Sequence, residues 1–572
     1  MSEAPPPKPG PRFRRRVVVD GLLAMALAVV ALSSLLWTDA DFGMVWDEGH
    51  TIRRERLLER WFVLVFDPPA GRSRWQAFTD QSLERHWPFS REEPDGHPPF
   101  YAQLGLLGWW VSHPYLRPLS AYRFGPMALS SLTVGFLYFH LARRQGRLAG
   151  LTASAALLLM PRIFAHARYA HYDMPVTCLW LLAMAAFVNA LDRRAWILPF
   201  GVLMGLAAGT KLSGWFAPLA PMLWVLGMEV VPWLRRQIVK AEGADPIRFE
   251  GARALVLGGL VAGLTLFAIQ PHWWYDPPGA VERFLLANTT RAETFPIPTL
   301  YLGQIYEFSL PWHNTIVLTA VAVPVLVQAL GFLGIWACVS RGRSAPWMMI
   351  WPLSWSVLMV VRALPNAPGH DGLRQFLPAV ASLAVLAGFG AAWLANRLRP
   401  RRLAWVAWLL AAGAIGESVV GIARVYPYTM SYYNVALGGL PGAERQGFEV
   451  TYYWDTMGPE FLAWVQDEAM RRPLQLRFPS DLINVPLLRE WGELPREVPI
   501  VGIEPAADPD YVLQRRKGVY YPYDGWLERQ GHPRFVIRRQ GVDLLRVYSH
   551  AEALSAYEAT KGEPPPPHLR RR

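Results

Sequence analysis

The chain has 572 residues, of which 52% are apolar and only 18% charged, with 26 Trp and a formal net charge of +12. A string of soluble domains would carry more charge and fewer aromatics, so the balance points to a membrane protein. Cys178 and Cys338 both sit inside apolar runs, which excludes a disulfide scaffold and a thiolate zinc site, and the Arg clusters lie beside apolar runs, so the basicity reads as membrane topology and not as nucleic-acid binding.

In chain order, Arg12, Arg14, Arg15 and Arg16 precede an apolar run from Val17 to Trp37 that can cross a bilayer, which predicts a cytoplasmic N-terminus and a basic tail over 1–16. No small-residue cleavage site follows, so the run reads as an anchor and not as a signal peptide. Further spans are expected near 119–142, 148–165, 174–191, 196–210, 214–232, 253–271, 313–338, 346–362, 376–395 and 402–421, about eleven in all. Alternating them puts Arg143–Arg147, Asp192–Arg194, Arg235–Lys240, Arg341–Arg343 and Asn396–Arg402 inside and leaves the C-terminus outside.

The expected architecture is therefore mainly α, a helical membrane domain over 17–421. Its first external loop, 38–118, holds two stretches suited to interfacial helices, Ile52 to Phe66 and Pro99 to Val111. Beyond 421 hydropathy falls, and a small external α/β domain is expected over 422–560. Phe461, Leu462, Val465 and Ala469 recur at helical spacing behind Asp455 or Thr456 as a cap, and Phe535 to Arg539 with Val542 to Tyr548 reads as a hairpin around Gln540-Gly541. Pro5 to Gly10 and residues 561–572 read as disordered tails.

With this topology the polar residues at membrane borders collect on the external side. Trp46-Asp47-Glu48-Gly49-His50, Asp95-Gly96-His97-Pro98-Pro99, Arg168 to Asp173, Thr210-Lys211, Gln270 to Trp274 and His370-Asp371-Gly372-Leu373-Arg374 all fall there. Polar groups at membrane depth are costly, so their convergence on one face argues for a shared site. Asp47 supplies a carboxylate for base chemistry, and its neighbour Glu48 could orient it or share a metal. Each cluster also has a plainer reading: a solvated loop start for Asp47-Glu48, a helix start for His97, a mutual ion pair for Arg168 and Asp173, snorkelling for Lys211. Arg374 is the cation least easily explained this way, because Arg is depleted on the external side. If its segment is helical, His370 lies one turn earlier on the same face, and the pair suits a phosphate. No P-loop, dinucleotide fingerprint or H-E-x-x-H motif is present.

Taken in order, Asp47-Glu48, Asp95 to Pro99 and Arg168 to Asp173 resemble the protein O-mannosyltransferase family and its bacterial relatives, multi-span glycosyltransferases that use lipid-phosphate sugars. Tyr426 to Asn434, Gly438-Gly439 and Gly447 to Trp454 resemble bacterial members beyond the last span. The resemblance implies a GT-C-like bundle in a bacterial inner membrane. It further implies a polyprenyl-phosphate sugar donor, mannose-like, and a protein, lipid or glycan acceptor on the outer face. Departures are also visible. Phe100, Tyr101, Ala102 and Gln103 stand where eukaryotic members usually carry a Lys, His97 stands where aminoarabinose transferases have Lys, and residues 272–312 are too short for a trefoil domain.

The leading reading is inverting transfer of one sugar, with Asp47 as base, Glu48 and Asp173 orienting substrates, and Arg374, His370, Lys211, Arg168 or His97 stabilising the leaving phosphate. No cofactor is certain from the sequence, and a divalent metal at the Asp47 carboxylate stays open. Two alternatives are a lipid-linked sugar flippase or transporter, which would place its charges nearer the midplane, and a polysaccharide ligase or oligosaccharyltransferase, for which no Trp-Trp-Asp-Tyr-Gly-like segment is found in the external domain.

Overall fold

The computed structural model describes residues 11–563 apart from 88–96, 240–247, 290–296, 343, 454, 479–482, 502–509 and 515–521. The tail Pro5 to Gly10, most of 561–572, and Asp95 with Gly96 therefore lie outside the described residues.

Apolar runs of bilayer length become helices because only a helix satisfies every backbone donor and acceptor within one segment. Among the described residues seven are long and apolar enough to span: Arg16–Asp41, Pro118–Gln145, Asp173–Asp192, Leu212–Gln237, Glu250–Ala268, Gly372–Arg401 and Trp405–Val425. Four shorter apolar helices, Arg147–Leu159, Arg194–Ala208, Val325–Arg341 and Pro346–Val361, occupy the remaining expected positions. Two are short for a visible reason. Pro161 splits the 148–165 run into Arg147–Leu159 and Pro161–His166 around an extended Met160, and Pro324 splits 313–338 into Asn314–Ala322 and Val325–Arg341. Proline lacks the N–H that helix continuation requires and pushes the preceding residue towards extended backbone.

The helix Leu377–Leu398 is the axis of the bundle. In its most apolar stretch 89% of the residues of Gly372–Arg401 are buried, against 11% in that of Arg16–Asp41 and 17% in that of Glu250–Ala268, which are left to face lipid. Backbone contact with Val325–Arg341 sets the axis: a Cβ at Gly334 would lie 1.8 Å from the Leu386 carbonyl oxygen, and one at Gly390 would lie 1.9 Å from that of Leu330. Small residues at such crossings let dispersion contacts replace a hydrophobic driving force that lipid cannot supply.

Both stretches expected to lie in the interface are helical, Trp46–Phe66 and Phe100–Ser112, the first beginning six residues before the expected Ile52. Trp61 joins them to the intervening loop, its ring packed edge-on against Phe78 and Trp87 and its indole N–H donating to the Ala77 carbonyl at 2.8 Å.

A short antiparallel hairpin, β1 (Thr299–Tyr301) with β2 (Gln304–Tyr306), precedes a five-stranded C-terminal sheet in the order β4-β3-β5-β7-β6, where β3 is Leu476–Arg477, β4 Ile500–Val501, β5 Asp510–Gln514, β6 Phe535–Arg539 and β7 Val542–Tyr548. β3 pairs in parallel with β4 and β5, and β7 runs antiparallel to β5 and β6. The expected hairpin is β6–β7, turned by Gln540 and Gly541, both at positive φ (49° and 81°), as a tight hairpin matching strand twist requires. The expected helix is Pro459–Arg471, but Gly458 occupies its N-cap in place of Asp455 or Thr456.

This domain is seated on the start of the 46–66 helix. The Asn484 amide donates to the carbonyls of Met44 (3.2 Å) and Val45 (2.9 Å), and the Trp46 N–H donates to the Tyr453 carbonyl at 3.0 Å. At the opposite end of the bundle, Arg147 pairs with Asp20 at 2.8 Å and Arg144 with Asp192 at 2.6 Å, so the basic inter-span clusters 143–147 and 192–194 gather away from the C-terminal domain. By the positive-inside rule we expect the domain end to face outside. An alkaline phosphatase fusion placed after Tyr548 should be active, and an inactive fusion of normal abundance would reverse the orientation.

Candidate active site

The 46–66 helix opens with Asp47 and Glu48 in its first turn, where carboxylates are favoured by the unpaired N–H groups of the helix end. The two then diverge. Glu48 turns inward and is fully buried; its carboxylate accepts from Arg123 Nε and Nη2, both at 2.7 Å, and from the backbone N–H groups of Val45 (2.9 Å) and Ala170 (2.8 Å). Arg123 also donates to Asp39 Oδ1 at 2.9 Å and to the Gly43 carbonyl at 2.7 Å. Every oxygen of Glu48 is thus spent on holding three chain segments together. The expected substrate-orienting role of Glu48 is not supported by this geometry, and removing it would leave Asp39 as the remaining carboxylate on the buried Arg123 and would cost the Val45 and Ala170 N–H groups their acceptor, about 1–3 kcal/mol for each group left unpaired.

Asp47 remains at the surface of the site, its side chain 18% exposed. One oxygen, Oδ2, accepts from the hydroxyls of Tyr172 and Tyr453 and from Arg374 Nη2, the last at 2.5 Å. Among the described residues no donor reaches Oδ1. Burial by itself would raise the Asp47 carboxyl, but the Arg374 guanidinium and the two phenols outweigh it and hold it at about 2. Burial pushes both phenols well above their usual range, so they remain protonated donors.

Arg374 divides its fork among carboxylates from three segments: Nη2 to Asp47, Nε to Asp173 Oδ2 at 2.6 Å and Nη1 to Asp371 Oδ2 at 2.8 Å. Asp371 and Gly372 both take left-handed backbone (φ 60° and 59°), which turns Asp371 back towards Arg374. Nη2 also donates to the Tyr172 hydroxyl at 2.5 Å, and the guanidinium stacks on the Tyr453 ring at 4.0 Å. The bidentate fork expected to grip a phosphate is therefore occupied by protein. Lys211 gives one donor to Asp173 Oδ1 at 2.5 Å and lies 5.1 Å from the Tyr172 ring; desolvation lowers its amine to about 8, with Asp173 opposing the shift.

Of the residues expected from sequence, Asp47, Asp173, Lys211 and Arg374 meet in one network, and His97 joins it edge-on against Tyr172 with ring centroids 3.8 Å apart. His370 is buried in the same loop as Asp371, its carbonyl accepting from the Gln375 amide at 3.2 Å. Arg168 is placed elsewhere. Its guanidinium lies 3.6 Å from the Phe42 ring and 4.5 Å from that of Phe164, with a 3.0 Å bond to Thr38 Oγ1, so it packs the 16–41 helix and does not pair with Asp173. Arg123 was not anticipated as a framework residue, although an Arg inside the expected 119–142 span was a signal for it. The role of Tyr453 had no local signal.

Three metal-type ligands come together, His166, His171 and Asp173, within 4.8 Å of one another. Their chemistry does not suit a divalent ion. His166 Nδ1 and His171 Nε2 face each other at 3.3 Å and share one proton, the Asp173 N–H donates to His171 Nδ1 at 3.0 Å, and both Asp173 oxygens already carry cations. Burial lowers His171 to about 4 and takes His166 well below the usual imidazole range, which keeps both rings neutral. An incoming dication would displace Lys211 and Arg374 from Asp173 and remain beside them. The Asp47–Glu48 pair is no better, since Glu48 has no oxygen to give.

Residues 116–244 match the profile of the family described as dolichyl-phosphate-mannose-protein mannosyltransferase. No curated protein sequence matches the chain. Among solved structures the chain is similar to ArnT from Cupriavidus metallidurans bound to undecaprenyl phosphate, at 13% identity and a TM-score of 0.43 over 92% of this chain and 97% of that one. Against the apo form the values are 14%, 0.45, 93% and 98%. The oligosaccharyltransferase of Archaeoglobus fulgidus, in complex with Zn and sulfate, aligns at 14% identity and a TM-score of 0.38 over 89% of this chain and 63% of that one.

The geometry around Asp47 has a measurable consequence. Tyr172→Phe and Tyr453→Phe each remove a charge-assisted hydrogen bond worth about 1.5–3 kcal/mol, which should raise the Asp47 carboxyl but release its fixed orientation, and the loss of orientation should lower turnover by about tenfold or more with little loss of folded protein. Unchanged turnover in both variants would show that the phenols do not set the carboxylate.

Proposed function

We propose that this chain transfers a single sugar from a polyprenyl-phosphate donor to a hydroxyl-bearing acceptor at the outer face of the membrane, with inversion at the anomeric carbon. The family match at 116–244 supports a glycosyltransferase. The observation that carries the mechanistic reading is the asymmetry of Asp47: three donors on Oδ2 and an open Oδ1 at the mouth of the site. A carboxylate clamped through one oxygen has a fixed orientation, and its other oxygen can receive a proton.

In this reading the acceptor oxygen attacks the anomeric carbon as the bond from that carbon to the phosphate oxygen breaks. The hydroxyl proton passes to Asp47 Oδ1, and the electron pair leaves on the lipid phosphate. A carboxylate near 2 is a weak base towards a free alcohol. It becomes competent once the forming bond has made the attacking oxygen acidic, which suits a late proton transfer in an oxocarbenium-like displacement.

The leaving phosphate needs a cation that is not already consumed. Lys211 is the best placed: an ammonium has three donors and only one is spent, on Asp173. His97, against Tyr172, is close enough to the same network to assist. Arg374 acts by positioning, since it fixes Asp47 and Asp173 relative to each other. No step requires a nucleotide, and none is routed through a metal.

Asp47→Asn keeps the shape but cannot take the proton, so turnover should fall by about two to four orders of magnitude at unchanged expression. Turnover within threefold of the parent would exclude Asp47 as the base.

A further inference from the structure

Tyr453 and Arg374 bring their donors to Asp47 Oδ2 from two turns of unusual backbone. Tyr453 stands at φ 65°, and Asp371 and Gly372 at 60° and 59°. Left-handed backbone is rare for a side chain as bulky as Tyr, and it persists only where the surroundings fix it. The Trp46 N–H holds the Tyr453 carbonyl, Asp371 is held by Arg374, and Arg374 meets the Tyr453 ring at its tip. Behind that contact the two turns meet again, at a second arginine.

Arg162 follows Pro161 at the start of the short helix Pro161–His166 and is 3% exposed, so it reaches no substrate. Its guanidinium carbon lies 4.7 Å from the centre of the Tyr433 ring and 4.5 Å from that of the Tyr452 ring. Nη1 faces Gly372: a Cβ there would lie 3.1 Å from that nitrogen and 3.3 Å from Tyr452 Cε1. One planar group thus touches the residue before Tyr453 and the residue two before Arg374.

The remaining contacts of Arg162 anchor it. Nε donates to the Tyr432 carbonyl at 3.2 Å, and the Tyr432 ring packs on Gly421 of the last membrane helix, where a Cβ would lie 2.5 Å from ring carbon Cε2 and 3.2 Å from Pro161 Cγ. The Tyr433 hydroxyl donates to the Glu449 carbonyl at 2.7 Å, so in the 2.7 Å contact between the two phenols Tyr452 is the donor. This chain of hydroxyls fixes both rings against the guanidinium. Burial pushes both phenols up, which keeps them neutral. Among the described residues no carboxylate pairs with Arg162, and its Nη2 has no hydrogen-bond partner. A charge buried in that state is costly, and a Met would fill the volume without the penalty. What the guanidinium supplies is a rigid plate that stacks on rings and donates at its edge, which neither Met nor Lys can reproduce.

We propose that Arg162 is a positioning residue for the transfer: its plate registers the 371–374 turn against the 452–453 turn, so that Arg374 Nη2 and the Tyr453 hydroxyl meet at one oxygen of Asp47. This role in turnover rests on Asp47 being the base. The registration itself does not, and it is read separately below.

The test uses the full-length protein in nonionic detergent. Amide exchange read by mass spectrometry does not depend on the reaction. Arg162→Met should speed exchange about tenfold in peptides covering 44–48 and 371–376 and leave 377–392 at the parental rate. Parental exchange at 44–48 or 371–376, or faster exchange throughout the chain, would overturn the proposal. With undecaprenyl-phosphate mannose as donor, Arg162→Met should lower kcat about tenfold or more with donor KM within about twofold of the parent. Arg162→Lys should do the same despite keeping the charge. Parental kcat in Arg162→Lys, or a loss confined to KM, would overturn the proposal. Adding Tyr453→Phe to Arg162→Met should cost little more than either change alone, because both act through Asp47 Oδ2, whereas a loss of about a hundredfold, the product of two independent effects, would contradict it. If Arg162→Met fails to accumulate, Tyr452→Leu, which removes one of the two rings, carries the same comparisons. A parent protein that does not turn this donor over would tell against the proposed reaction and leave the exchange result to decide the role of Arg162.

Discussion

The site depends on one buried guanidinium. Arg374 is 5% exposed and touches carboxylates from the starts of two helices and from its own loop, so three segments far apart in sequence are held at one point. Only Arg could do this. Its planar group sends donors in three directions, whereas a Lys would satisfy the same carboxylates one at a time. Desolvating so many charges is costly, and the arrangement persists because each guanidinium nitrogen and most carboxylate oxygens find a partner at hydrogen-bond distance. The same bonds leave Asp47 Oδ1 as the open acceptor.

A second buried cluster, Arg123 with Glu48 and Asp39, performs a similar task. It locks the end of the first membrane helix to the start of the 46–66 helix, so Asp47 is held on both sides: through its neighbour Glu48 by Arg123, and through its own side chain by Arg374. The C-terminal domain completes the constraint, since Tyr453 contributes a carbonyl to Trp46, a hydroxyl to Asp47 and a ring face to Arg374. The domain is thus part of the site and not an appendage.

Much of this was legible in the amino-acid order, for physical reasons that vary by residue. Helices of bilayer length follow from apolar runs, and the β6–β7 hairpin follows from alternation around a Gln-Gly turn, because both signals are local. Asp47, Asp173, Lys211 and Arg374 could be grouped because charge at a membrane border is costly enough to need a reason. What such reasoning does not supply is direction. Glu48 and Asp47 are adjacent in sequence but point apart, and only the position of Arg123 decides which of them faces inward. Arg168 carries the same charge as Arg374, yet the Phe42 and Phe164 rings absorb it in a packing role. Tyr453 reaches the site through long-range docking of the C-terminal domain, which leaves no local pattern to read.

The central claim is that a single carboxylate, Asp47, works as a base through one open oxygen, with Asp173 fully ion-paired and so withheld from nucleophilic attack. Its most direct test is the anomeric configuration of the product, determined by NMR on material made from a donor of defined linkage. The account predicts clean inversion. Retention would require a covalent glycosyl intermediate on a second carboxylate and would contradict the geometry around Arg374 as interpreted above.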